Sequence, residues 1–532
     1  LLAILSQELN RNFTVLKEKA DPKPYFLGYG VTAVETESIS STLGSLSSKS
    51  KTGGRYLDVT IRVGSPKLDN YRTVRGEAPR FTSGVPLPVD DVGPAIRQRV
   101  WLDTDRAYRQ ASQRFIQIQS DENLKVAAED KSDDFSSEEP QKFDQLPAVL
   151  QYSSSEWETR LNAASASLGA VSGVLSSTVA FTVERKITSF VNTEGASLRH
   201  GRTFARIVVV ASGKAADGMD LATLRTFEAA DPGRLPNQAE LLKAVDEVGK
   251  ELSALLNAPT VDPYVGPAIL SGRAAGVFFH EIFGHRVEGF RQKSEEEGQT
   301  FTKSVGKTVL PDFLSVVFDP TKKAIDGVDL NGYYLYDDEG VKARSVTVVE
   351  NGILKTFLMS RSPIQGFDHS NGHGRRQPGF EVMSRQSNLL VESKKQVSDA
   401  KLRAMLIEEI KRQNKPYGLY FQDITGGFTL TQRRGLQAFT VIPLVVYRVY
   451  PDGRPDELVR GVSIVGTPLA SFAKILATGD KSEIFNGICG AESGSVPVSA
   501  VSPSLLLSEI EVQKKERSSD RPPFLPRPTE AR

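Results

Sequence analysis

Apolar and polar positions alternate along "GRYLDVTIRVGS", with Leu57, Val59, Ile61 and Val63 on one side. That is the pattern of a half-buried strand. Further on, "LDTDRAYRQASQRFIQIQ" predicts a polar helix starting near Asp103. Helix-compatible residues from Trp157 to Ala164 precede the strand "VAFTVERKITSFVN". A hairpin follows in "TEGASLRHGRTFARIVVVAS", with Ile207–Val210 as a buried strand and His200 exposed in a turn. The clearest helix is "NQAELLKAVDEVGKELSALLNAP". Asn237 and Glu240 suit a capping box there, and Leu241, Val245, Val248, Leu252 and Leu255 recur on one face. From about Val261 the pattern is mostly strand, apart from the segment around His280 and a helix near 398–413. Turn signals at Asn351–Gly352 and Asp452–Gly453 mark successive hairpins.

These elements predict an α+β fold. A mixed α/β N-terminal part stands beside a large antiparallel, barrel-like β C-terminal domain. At 532 residues the chain exceeds a single core. The expected division is an α/β domain over 1–120, an acidic Ser-rich linker over 121–145, and a middle α/β segment over 146–260 packed with the first. A β-rich domain then covers 261–513, and a flexible Pro-rich, charged tail covers 514–532.

Charge removes some classes. Lys+Arg (66) and Asp+Glu (65) nearly cancel, leaving net charge +1, which offers nothing for nucleic acid. No apolar run approaches the ~20 residues of a membrane span. One cysteine, Cys489, excludes a disulfide within the chain. The chain begins at Leu1 rather than Met, so an upstream segment is expected to have been removed. "LLAIL" is too short and lacks the basic flank of a signal peptide. Localisation is left open between the cytoplasm and export after signal-peptide removal.

The chemistry concentrates in "VFFHEIFGHRVEGF", residues 277–290, which holds two of the chain's five histidines. A single histidine on an apolar helix is ordinarily a satisfied core residue. Two of them flanking Glu281 change that reading, because burying this carboxylate unpartnered costs several kcal/mol or forces its protonation. A metal ion nearby would remove the difficulty. Spacing is the obstacle. Zinc proteases carry H-E-x-x-H, whereas His280 and His285 are five apart, roughly 140° around an α-helix. Either a π-type turn or a helix that ends near Gly284 would let them share an ion. A catalytic zinc takes three protein ligands, so a third is needed. Cys489, between Gly487 and Gly490, is one candidate, and its ordinary reading is a small buried hydrophobe. The others are assorted carboxylates and the pair His369 and His373, which would give a four-histidine site of an oxidoreductase. His373, Arg375 and Arg376, in the Gly-rich loop "FDHSNGHGRRQPG", are candidate substrate contacts near the metal. Alternatively they bind the loop's own backbone.

The segment "GVFFHEIFGHRVEG" resembles the H-E-x-x-x-H signature of the TldD/PmbA family of bacterial metalloproteases. "SFVNTEGASLRHGRTF", "SNGHGRR...SRQSNLLVE" and "GICGAESGSVPVSAVSP" resemble the family's other characteristic stretches, so the likeness spans roughly Phe190 to Val512. It implies His280, His285 and Cys489 as ligands of one Zn2+ per chain, and Glu281 as the catalytic carboxylate. It also implies an active, TldD-type subunit that cleaves unstructured peptides and assembles with a second family subunit. That subunit would be a second copy or a PmbA-type partner. A non-catalytic binding or regulatory role is the rival, since partner subunits of the family do no chemistry. The chain is longer than the family pattern, in the acidic linker and around 290–315.

Overall fold

A computed structural model of the chain describes residues 1–73, 79–82, 84–122, 130–294, 296–433, 439–515, 521–523 and 525. Strands β1 (Pro24–Thr42) and β2 (Ser45–Ser65) form a long antiparallel hairpin. Leu57, Val59, Ile61 and Val63 alternate inward as expected and are fully buried. They lie in one core with apolar residues of helices α1 (Leu2–Lys19) and α2 (Gly93–Glu122). Helix α2 starts well before Asp103. Ile96, Val100, Ala107 and Ala111 form its buried stripe, and Pro94 is tolerated in the first turn.

After α3 (Ser154–Ala166) come β3 (Ser176–Asn192), β4 (Ser197–Lys214), β5 (Asp220–Ala229) and α4 (Gln238–Asn257). Strand β3 pairs with both β1 and β4, so residues from either side of the acidic stretch build one sheet. In β4 burial alternates, with Ile207 and Val209 inside and Val208 and Val210 half-buried, rather than forming a continuous buried run. Helix α4 carries the predicted capping box and buries Leu241, Val245, Val248, Leu252 and Leu255. Trp157 of α3 stacks on Phe181 with ring centres 4.1 Å apart.

The acidic stretch is not simply a solvated linker. Part of it, 123–129, lies outside the described residues, as does most of the tail from 514. Yet Asp134, Phe135 and Ser136 are buried. Asp134 accepts from Arg72 Nε and from the Asp69 backbone N–H, Phe135 lies under the guanidinium groups of Arg62 and Arg361, and the Ser136 carbonyl accepts from Arg361. Composition gives no sign of these three anchored residues.

The second sheet uses β6 (Tyr264–Leu270), β7 (Leu314–Phe318), β8 (Val346–Glu350), β9 (Asn388–Ser393), β10 (Gly418–Thr429), β11 (Phe439–Val449), β12 (Val462–Gly466), β13 (Ile475–Ala491) and β14 (Gly494–Lys514). The path β14–β12–β11–β10–β6 returns to β14 and closes a five-stranded barrel. The expected turn at Asn351–Gly352 is present, both residues having positive φ. The sheet is mixed rather than antiparallel throughout, because β6–β10 and β9–β14 are parallel. Hairpin signals report neighbours in sequence, whereas these strands meet across long connections. Helices α5 (Gly272–Ile282) and α6 (Asp399–Arg412) pack on this sheet. Phe278, Phe279 and Phe283, on α5 and just past its end, pack around Phe472 in the main core of this half. Among the described residues no helix is long and apolar enough to cross a membrane.

Candidate metal centre

Helix α5 begins at the Ser271 cap, whose hydroxyl accepts from the Ala274 N–H, and runs through His280 and Glu281. It ends at Ile282. Phe283 (φ −113°, ψ −54°) still donates to the Phe279 carbonyl, but the Arg286 N–H turns back to Phe283, making a 3₁₀ turn over Gly284–Val287. The helix therefore ends, as one of the two expected solutions required, and no π-type turn is used. Arg286 supplies a reason for the stop. Its guanidinium donates to the Glu281 and Ile282 carbonyls, which the ending helix leaves free, and to Thr429 Oγ1 and the Leu430 carbonyl. Gly284 serves close packing rather than a widened turn, since a Cβ there would collide with the buried Gln386 side chain.

With the helix broken, the two imidazoles converge. Their ring centres are 4.9 Å apart and the rings are nearly perpendicular, at 80°. Cys489 enters from β13, opposite Val496 on β14, and its Sγ lies 3.3 Å from His280 Nε2 and 3.4 Å from His285 Nε2. All three side chains are buried. Nitrogen and sulfur ligands on a tetrahedral zinc stand about 3.5 Å apart, given bond lengths near 2.0 and 2.3 Å. The donor set and its separations fit such an ion. Burial pushes the Cys489 thiol up, but His285 and His280 beside it pull it well below the usual thiol range.

Two neighbours complete the centre. Glu281 Oε2 lies 4.0 Å from His285 Nε2. Burial raises its carboxyl above the usual range, with His280 and His285 opposing. Glu288, fully buried, holds His285 from behind, with Oε2 3.2 Å from Nδ1. Burial alone would push the Glu288 carboxyl up, but His285 and Arg291 bring it down to about 2. A carboxylate there accepts the Nδ1 proton and leaves Nε2 as the free ligand atom. Sequence reasoning missed Glu288. Its spacing three residues after His285, in "HRVE", was the available signal.

Among the described residues, the group able to hold a metal is His280, His285 and Cys489. The other histidines are elsewhere. His369 is exposed beside Glu138, 3.5 Å away. His373 is buried between Asn371 and Ser387 Oγ. Arg375 donates to the Gln386 carbonyl and Arg376 faces Asp58, both buried. These three face the protein's own groups rather than the cavity, because the Gly-rich loop folds inward. His200, expected in an exposed turn, is buried against Tyr336 because β4 continues through it. A cavity of about 440 Å³ opens over His280, Glu281, His285 and Cys489, and the first sheet contributes Arg206 and Thr226 to its wall.

Residues 262–514 match the PmbA/TldA metallopeptidase C-terminal domain. A metalloprotease of Archaeoglobus fulgidus is 30% identical over 272 residues, covering 50% of this chain and 58% of that protein. The metalloprotease TldD homolog of Haemophilus influenzae is 29% identical over 269 residues, covering 49% and 51%. These alignments span little more than half of either relative. Solved structures extend the likeness of fold to the whole chain. TldE from Thermococcus kodakarensis superposes with a TM-score of 0.65 at 14% identity, over 96% of this chain and 100% of that one. A putative modulator of a DNA gyrase from Thermotoga maritima gives 0.63 at 16%, over 95% and 99%. Over residues 262–514 the chain is thus similar to TldD/PmbA-family metalloproteases, and the relatives it matches include archaeal as well as bacterial proteins.

Proposed function

We propose that the chain is a zinc-dependent peptidase of the TldD type, hydrolysing unstructured peptides. The observation that supports it is a buried carboxylate, Glu281, next to three convergent donors in the lining of a cavity. His280, His285 and Cys489 would hold one zinc ion, whose Lewis acidity acidifies water and polarises a peptide carbonyl. Glu281 takes the proton of the attacking water and passes it to the leaving amine. Its raised carboxyl range suits that exchange better than an ordinary surface glutamate would. Glu288 keeps the His285 ring in one orientation throughout. The four-histidine oxidoreductase gains no support, since His369 and His373 lie apart from the centre.

Zinc content and cleavage of an unfolded polypeptide, measured together, test this reading. Glu281→Gln should keep its zinc and lose about 10²–10⁴-fold in turnover, the usual weight of general acid–base catalysis. Cys489→Ser should lose zinc, a hydroxyl being a poor ligand at neutral pH, while His369→Ala should keep it. Turnover above about a tenth of wild type in Glu281→Gln would sink the assigned role. A wild type that holds zinc and cleaves nothing would instead favour the non-catalytic reading.

The same reading includes a second family subunit, a second copy or a TldE-type chain. Light scattering on this chain alone should give a dimer if the partner is a second copy. An active monomer at micromolar concentration would contradict both forms of the assembly.

A further inference from the structure

Arg385 follows the two-residue strand Met383–Ser384 and has no exposed surface. Its Nη2 donates to the Cys489 carbonyl at 2.8 Å and to Cys489 Sγ at 3.2 Å. Its Nη1 donates to Ser493 Oγ at 2.8 Å and to the Gly494 carbonyl at 2.9 Å. Its Nε faces Glu288 Oε1 at 3.4 Å. The other oxygen of Glu288 holds His285 Nδ1 and accepts from Arg291 Nε at 2.9 Å. A guanidinium that only closed the β13–β14 hairpin would need the two carbonyls and the serine. This one also reaches the sulfur and the carboxylate that orients an imidazole. One buried cation thus touches the supports of two of the three donors.

We propose that Arg385 is a positioning residue of the metal centre, fixing the Cys489 sulfur by an N–H···S bond and the His285 ring through Glu288, and drawing charge off the sulfur. The inference rests on the metallopeptidase reading above. A thiolate ligand is anionic and weakens the acidity a metal confers. A charge-assisted hydrogen bond to the sulfur offsets part of that. Lysine is no substitute, because a single ammonium cannot span the sulfur, the hairpin and Glu288 as a planar fork does.

The test uses the full chain as wild type, Arg385→Gln, Arg385→Lys and Ser493→Ala, each loaded with zinc or with cobalt(II). Chelator competition should show zinc affinity about tenfold to a hundredfold weaker in both Arg385 variants, the usual effect of removing a residue behind a ligand. The sulfur-to-cobalt charge-transfer band should move to lower energy in both, because sulfur without its N–H partner is the richer donor. A purely structural anchor would lower affinity and leave that band in place. Circular dichroism separates unfolding from these effects. If the Arg385 variants do not fold, Ser493→Ala loosens only the Nη1 end and should move the band less, in the same direction. A folded Arg385→Gln, or in its place a folded Ser493→Ala, whose band coincides with wild type overturns this proposal alone. A wild-type cobalt form lacking the band overturns the metal-site reading, and this proposal with it.

Discussion

Glu281 lies against β10 because position 427 has no side chain. A Cβ on Gly427 would come within 2.8 Å of both Glu281 Cγ and the Thr440 carbonyl oxygen. The carbonyl belongs to the barrel and cannot yield, so the carboxylate must. Gly427→Ala should therefore lower turnover about 100-fold, the scale on which a misplaced reacting group acts, while zinc content stays at wild type. Equal turnover in the two proteins would show that Glu281 has slack the packing does not suggest. Rarity made the proposed metal site readable from sequence. With five histidines and one cysteine in 532 residues, few combinations were available. Glu288 and Arg385 had no such advantage. Charged residues make up 25% of the chain, and nothing in their spacing reports that two of them meet behind a cysteine far along the sequence.

At the level of one element, the irregular spacing of His280 and His285 already required that α5 depart from regular winding. Which departure occurs depends on residues outside the helix. Arg286 stabilises a stop by taking up the Glu281 and Ile282 carbonyls, and β10 and the residue after it supply its remaining acceptors. Helical periodicity could not show an acceptor on a strand more than a hundred residues away. Arg286→Met keeps the volume but leaves these buried carbonyls without a donor, at about 1–3 kcal/mol for each such group. A loss of about 3 kcal/mol in urea unfolding is expected, together with weaker zinc binding as the 3₁₀ turn relaxes. Unchanged stability would mean that water or another donor serves the same carbonyls. The remaining elements were legible in proportion to their periodicity. The capped, amphipathic α4 matched its pattern, while α2 was placed too late because its buried stripe is sparse and its surface highly charged.

Over the whole molecule, the two sheets meet at places that composition and hydropathy do not mark, and His200 occupies one of them. It lies on β4 of the first sheet, against Tyr336 from the C-terminal half, with ring centres 5.5 Å apart. Its Nε2 has no hydrogen-bond partner among the described residues. Burial holds its imidazole down at about 4, with Asp338 opposing and Lys186 assisting. His373, buried in the second half, is held down to about 3, again chiefly by burial. Both values lie below the ordinary 6.5, so the unfolded chain takes up these protons first as pH falls. Their neutral burial stabilises the fold fully above about 6.5, and that contribution is lost as pH drops towards 4 and 3. At about 1.4 kcal/mol per pH unit of difference, His200 alone accounts for about 3 kcal/mol by pH 4. Asp337 and Glu339 act oppositely, since burial raises both carboxyls and favours the protonated fold in acid. The total slope of stability against pH is therefore a mixture, and the difference between two proteins isolates one term. Between pH 7 and pH 4, wild type should lose about 3 kcal/mol more stability in urea unfolding than His200→Gln, because the variant has no imidazole to charge. Parallel curves would mean that His200 takes up its proton as readily in the fold as in the unfolded chain, and that the junction between the sheets does not exclude charge at this position.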